Sequence, residues 1–138
     1  MIKAKQLVFL FLSILLVSCS ADSEQDSFNY ELIPVVAVDI PDELIRNENT
    51  VITTEYFRPT ECHSFAGYDY QNEGNENIIT ILNVVVENQP CGTLENDIVE
   101  ASFDFVAGQE SSYVFKFWQG RNEAGENQYV TIEVPVVD

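Results

Sequence analysis

The chain has 138 residues, with 23 Asp and Glu against six Lys and Arg, a formal net charge of −17, and 46% hydrophobic residues. That length suits one domain with a core of its own. Cations this sparse exclude nucleic acid as a partner and exclude polybasic attachment to anionic lipid, because both need clustered Lys and Arg.

Taken in chain order, the first element is a leader, residues 1–18. Lys3 and Lys5 precede an apolar run at 7–17 that only Ser13 interrupts. A helix needs about 20 apolar residues to span a bilayer, so this run reads as a signal-peptide core instead. It ends in Leu16-Val17-Ser18-Cys19, which resembles the bacterial lipobox. The resemblance implies cleavage before Cys19, a diacylglyceryl group on its thiol and a further acyl chain on its new amine. Two or more chains make membrane attachment stable. Loss of the leader leaves Arg46, Arg58, Lys116 and Arg121 to face all 23 acidic residues.

Residues 19–27 are the lipidated cysteine and a tether, Ser-Ala-Asp-Ser-Glu-Gln-Asp-Ser after Cys19. The tether is small, polar and acidic, with nothing to bury. Its eight residues reach at most about 28 Å when extended. An acidic stretch at this place resembles the surface-export signal of Bacteroidota lipoproteins. The expected location is the cell envelope, lipid-anchored to the outer membrane, with the surface and the periplasmic side both open.

From residue 28 to 138 the pattern is period-2, broken by Gly, Pro, Asn and Glu, which predicts an all-β domain. Residues 28–33 and 35–40 read as one strand kinked at Pro34, and proline confines it to a sheet edge. Residues 41–44 open a turn, read as one helical turn. Residues 50–58 form a β-branched strand that Pro59 ends, and 62–70 form a weaker one. Residues 71–76 are a hairpin loop. Residues 77–87 are apolar on both faces, as a central strand is. In 98–106, Val99, Ala101, Phe103 and Phe105 share one face. Tyr113, Phe115 and Phe117 share a face in 112–119, as do Val130, Ile132, Val134 and Val136 in 128–137. Seven to eight short strands suit an immunoglobulin-like or fibronectin-III-like sandwich, with an up-and-down barrel as the alternative.

Two resemblances support the sandwich. Phe105-Val106-Ala107-Gly108 followed by Tyr113-Val114-Phe115-Lys116-Phe117 resembles the E-to-F corner of immunoglobulin and fibronectin type III domains, which implies a bond from the Tyr113 hydroxyl to upstream backbone. The mature chain is similar to small uncharacterised acidic lipoproteins of Bacteroidota, with a lipobox, two later cysteines, and an ending like Phe117-Trp118-Gln119-Gly120 and Val130-Thr131-Ile132-Glu133-Val134-Pro135-Val136. That family lends no catalytic residues.

Cys62 and Cys91 are the only thiols left once Cys19 is acylated, so an envelope address predicts that they are bonded to each other. A Cys62–His63 nucleophile pair is disfavoured because strand neighbours point to opposite faces. His63 is the only histidine, which removes multi-histidine zinc sites. No cofactor is expected. Asp69, Glu73, Asn75 and Glu76 crowd one predicted loop and are a weak Ca²⁺ candidate: Gly74 fits the EF-hand spacing from Asp69, but Thr80 stands where a bidentate Glu belongs. Weak or no specific Ca²⁺ binding is expected.

The candidate ligand face is Trp118, Tyr129 and Lys116. If Phe117 pairs with Val130, Phe115 meets Ile132 and Tyr113 meets Val134, all on one face. The same register sets Trp118 opposite Tyr129, and Lys116 opposite Thr131, on the other. Such a pair either stiffens the hairpin or serves a sugar or peptide. The sequence therefore reads as a non-catalytic, lipid-anchored binding or accessory module for an envelope protein or a glycan. A passive spacer lipoprotein is the alternative, a small hydrolase is a remote one, and the oligomeric state stays open. Replacement of Cys19 by Ser should release the protein from membranes and abolish fatty-acid labelling; equal labelling and retention in the variant would contradict the lipid anchor.

Overall fold

The computed structural model describes residues 27–138. The leader, Cys19 and all but the last residue of the tether lie outside the described residues. The rest is an all-β sandwich of nine strands: β1 (Phe28–Ile33), β2 (Ala37–Asp39), β3 (Leu44–Ile45), β4 (Asn49–Phe57), β5 (His63–Glu73), β6 (Glu76–Val86), β7 (Ile98–Val106), β8 (Ser112–Arg121) and β9 (Asn127–Val137).

In the larger sheet, β5 runs antiparallel to the whole of β6. The other side of β6 is shared end to end: its first four residues pair in parallel with β8 and its last six with β1. β9 then pairs with β8, and β3 with β9. The smaller sheet is β2-β4-β7. Strand β6 is thus central, as its apolar run predicts, and Ile79 and Ile81 are fully buried.

The kink at Pro34 does more than bend a strand. It separates β1, in the larger sheet, from β2, in the smaller one. Val35 crosses between them, 2% exposed, its N–H donating to Trp118 O at 2.9 Å. Both halves are edge strands, which is where a missing N–H costs no ladder bond. The helical turn expected at 41–44 is not there. Leu44 instead enters β3, a two-residue strand parallel to the end of β9, and is fully buried. Burial of that one leucine against the core outweighs the local turn preference of Pro41-Asp42-Glu43. β3 and the split first strand bring the total to nine instead of seven or eight.

The core lies between the sheets, built on Ile33, Leu44, Ile52, Tyr56, Ile79, Ile81, Phe115, Phe117 and Val134. The predicted alternation of β7, β8 and β9 holds throughout. Tyr113, Phe115 and Phe117 are buried, and Phe105 packs edge-on against Tyr113 and Phe115 with ring centroids 4.9 and 5.0 Å away. The Tyr113 hydroxyl accepts the Gly108 N–H at 2.8 Å. That bond ties the start of β8 to the end of β7, as the corner resemblance implies. Beside it, Arg46 donates from Nη1 to Gly108 O and from Nε to Asp138 Oδ1, each at 2.6 Å.

Cys62 and Cys91 are joined, with Cα atoms 5.4 Å apart. The bond pins the long β6–β7 connection to the start of β5. Next to it His63, 5% exposed, holds Glu31 Oε2 through Nε2 and Thr60 Oγ1 through Nδ1, both at 2.8 Å. A carboxylate only accepts, so Nε2 carries the proton. This histidine is a brace between β1 and the turn before β5. Replacing both cysteines by Ala should lower unfolding free energy by roughly 3–4 kcal/mol, the loop-closure value for a bridge of this span. Urea unfolding measures it, and an unchanged midpoint would show that the bridge adds nothing.

Candidate functional site

Alternation along a strand sends every second side chain to the same face. On β8 the buried row Tyr113, Phe115, Phe117 therefore sends Val114, Lys116 and Trp118 outward. Trp118 lies opposite Tyr129 and Lys116 opposite Thr131, the register read from the sequence. The outer face of the larger sheet is thus where the candidate residues meet.

Two irregularities then recruit residues that simple alternation would have pointed elsewhere. Between Trp118 and Arg121 the register slips, so Gln119 and Gly120 together face Gln128. An extra residue of this kind bends the strand and re-aims the side chains beyond it. Arg121 consequently shares the outer face with Trp118, although strict alternation would set the two on opposite faces. Gly120 takes φ 98, a backbone conformation that side chains resist, and packs close to Pro34.

A second slip lies between Phe65 and Gly67, where Ala66 is the extra residue. Before it, His63 and Phe65 face the core. After it, Tyr68 and Tyr70 do so, opposite Ile81 and Ile79, and Asp69 and Gln71 turn outward beside Thr80 and Ile78. Gly67 at φ 141 accommodates the distortion.

Together these place a shallow hollow of about 140 Å³ on the outer face. It is lined by the rings of Trp118 and Tyr129, by the apolar Leu32 and Ile78, and by the polar Asp69, Gln71, Thr80, Arg121 and Asn127. A second, more open groove of about 530 Å³ continues on the other side of Trp118, along Leu32, Pro34 and Gly120. Trp118 is half-buried between them and not free in solvent. Its Nε1 donates to Asn127 Oδ1 at 3.1 Å, and Arg121 Nε donates to the same oxygen at 3.2 Å. The indole is therefore held in one orientation.

Arg121 is electrostatically distinct. Arg46 pairs with Asp138, Arg58 with Asp97 and Lys116 with Glu76. Among the described residues Arg121 alone of the four cations has no carboxylate within salt-bridge distance. Lys116, expected as part of the ligand face, is instead committed to Glu76 at 2.8 Å and does not line the hollow. Arg121, and not Lys116, is the cation that lines the hollow. Isolated glycines in strand patterns are the signal that would have found it.

The weak Ca²⁺ candidate is dispersed. Asp69 belongs to the outer hollow, Glu76 is held by Lys116, and Asn75 donates to Ser112 O at 3.3 Å. Glu73 sits opposite Glu76 at the end of the hairpin, exposed. Among the described residues no three His, Cys, Asp or Glu side chains gather as a metal cage. Cys62 is bonded and has no thiolate to offer beside His63.

Inside the sandwich, burial pushes the phenols of Tyr56, Tyr68 and Tyr70 above their ordinary value. For Tyr68 the hydrogen bond with Thr54 opposes that rise without overcoming it. These tyrosines stay neutral and serve as packing groups. Comparison of the chain with known families, curated proteins and solved structures returns no match.

Proposed function

We propose that the protein is a lipid-anchored envelope module that binds a glycan, without catalysis, through the Trp118–Tyr129 face. The observation that carries this reading is the hollow itself. An indole and a phenol line it beside polar groups of both hydrogen-bonding senses, with a guanidinium that makes no salt bridge among the described residues. Sugar rings present an apolar C–H face and an equatorial fringe of hydroxyls, and an aromatic wall beside amide and carboxylate groups complements both. Arg121 further favours an acidic sugar, since a guanidinium pairs with a carboxylate in a bidentate fork.

The anchor rests on the lipobox at Cys19 and the short apolar leader, and the Cys62–Cys91 bond agrees with an oxidising compartment. The immunoglobulin-like type of the sandwich is supported by the Tyr113–Gly108 corner bond. The acidic surface suits solubility close to a membrane and repels other polyanions, so Arg121 supplies local selectivity against that background.

The test uses the purified domain and a panel of neutral and uronate-containing oligosaccharides, read by calorimetry. Saturable binding to at least one member is expected. The Trp118→Ala, Tyr129→Ala double variant should abolish it while remaining folded, losing about 1 kcal/mol for the missing cross-strand pair. Arg121→Ala should weaken uronate binding and spare neutral sugars. Absence of binding across the panel, or undiminished binding by the double variant, would overturn the reading. Unfolding of the double variant would show instead that the pair is a structural element of the hairpin.

A further inference from the structure

The outward row of β1 is Phe28, Tyr30 and Leu32, three apolar side chains in succession and all of them exposed. They lie opposite Val86, Val84 and Leu82 of β6, so the outward positions of both strands are apolar. The Phe28 and Tyr30 rings stand edge-on, with centroids 6.1 Å apart. The face so formed spans two strands and contains no charged side chain. The smaller sheet also exposes apolar residues, but there Thr53, Glu55, Glu100 and Ser102 interrupt the outward rows. A contiguous apolar face marks a contact surface, whereas scattered exposed residues do not.

The carboxylates nearest in sequence are engaged elsewhere. Glu31 belongs to the inward row, and its Oε2 accepts from His63 Nε2 at 2.8 Å. Glu87, just past the end of β6, accepts from Ser27 Oγ at 2.6 Å and from Asn29 Nδ2 at 2.8 Å. The face is therefore neutral on a chain whose net charge is −17. Its only polar side-chain group is the Tyr30 hydroxyl.

Its place in the chain points to the occupant. Phe28 follows the tether directly, and the eight residues of the tether reach at most about 28 Å. Acylation of Cys19 keeps the face within that distance of a bilayer, at an effective concentration of roughly millimolar. A phenol beside a phenyl ring suits the lipid–water boundary, where aromatic side chains set ring carbon among acyl chains and a hydroxyl among headgroups. We propose that the Phe28–Tyr30–Leu32 face docks on the neutral lipid surface that carries the anchor, so that lipid contact, and not the anchor alone, orients the domain. This rests on the lipid anchor proposed above and is independent of the glycan reading. Phe28 lies about 13 Å along the strand from Leu32, the residue shared with the Trp118 hollow. Contact at the Phe28 end therefore leaves the hollow clear.

The test uses the acylated chain in two settings. Sedimentation with phosphatidylcholine vesicles reports the anchor. Nuclear magnetic resonance in phosphatidylcholine bicelles that carry a little headgroup-spin-labelled lipid reports the docking. The Phe28 and Tyr30 rings and the Leu32 methyls should lose signal, while Phe57 and Ile98, outward on the smaller sheet, should keep theirs. The Phe28→Ser, Tyr30→Ser double variant should still sediment with vesicles, and its Leu32 methyls should regain signal. Should β1 of that variant detach from β6, the pattern in the parent chain still decides. Sedimentation without selective signal loss would overturn the docking and leave the anchor standing. Failure to sediment would overturn both. Concentration-dependent shifts of the Phe28 and Tyr30 rings in the unacylated Cys19→Ser chain, without lipid, would assign the face to a second copy and overturn the proposal.

Discussion

Everything at the surface of this domain depends on what its strands must bury. Side chains alternate between faces with a period of two, so a strand that commits one row to the core has no freedom left for the other. On β8 the committed row is Tyr113, Phe115 and Phe117, and the last two are fully buried. Moving that strand by one residue would expose three aromatic rings and bury Lys116 and Trp118 in their place. The penalty is several kcal/mol, at about 25 cal/mol for each Å² of apolar surface. The outward position of Trp118 is therefore a consequence of the core.

The same rule explains why the candidate face needs defects. A strand of perfect alternation would carry Asp69 and Gln71 inward and turn Tyr68 and Tyr70 toward solvent. The single extra residue at Ala66 reverses this, giving polar groups to the outer hollow and turning the aromatic rings to the core side. The extra residue at Gln119 and Gly120 does likewise for Arg121. One distortion thus sorts both faces of β5. Gly67 and Gly120 make the distortions tolerable because positive φ costs glycine little.

These physical facts also set what the sequence could disclose. Strand β7, the β8–β9 register, the Trp118–Tyr129 opposition and the Cys62–Cys91 bond are legible because each comes from a strong local pattern or from a simple elimination. Strand β3 is not, since two residues carry no periodicity and Leu44 is placed by the distant end of β9. The transfer from β1 to β2 is legible as a kink at Pro34, but the exchange of sheets is a property of the whole sandwich. Charge and parity agree in putting Lys116 on the ligand face. Its pairing with Glu76 arises from the parallel contact of β6 with β8, two strands far apart in sequence. Arg121, Tyr68 and Tyr70 are hidden by the bulges, whose only trace is an isolated glycine in each strand.

The claim on which the rest turns is that the β8 bulge sets Arg121 beside Trp118. Interstrand nuclear Overhauser contacts along β8 and β9 in solution measure it directly. The account predicts contacts of Trp118 with Tyr129 and of Arg121 with Asn127, with Gln119 and Gly120 sharing Gln128 between them. An unbroken one-for-one ladder, with Gly120 opposite Asn127 and Arg121 opposite Glu126, would contradict it and turn Arg121 away from the hollow.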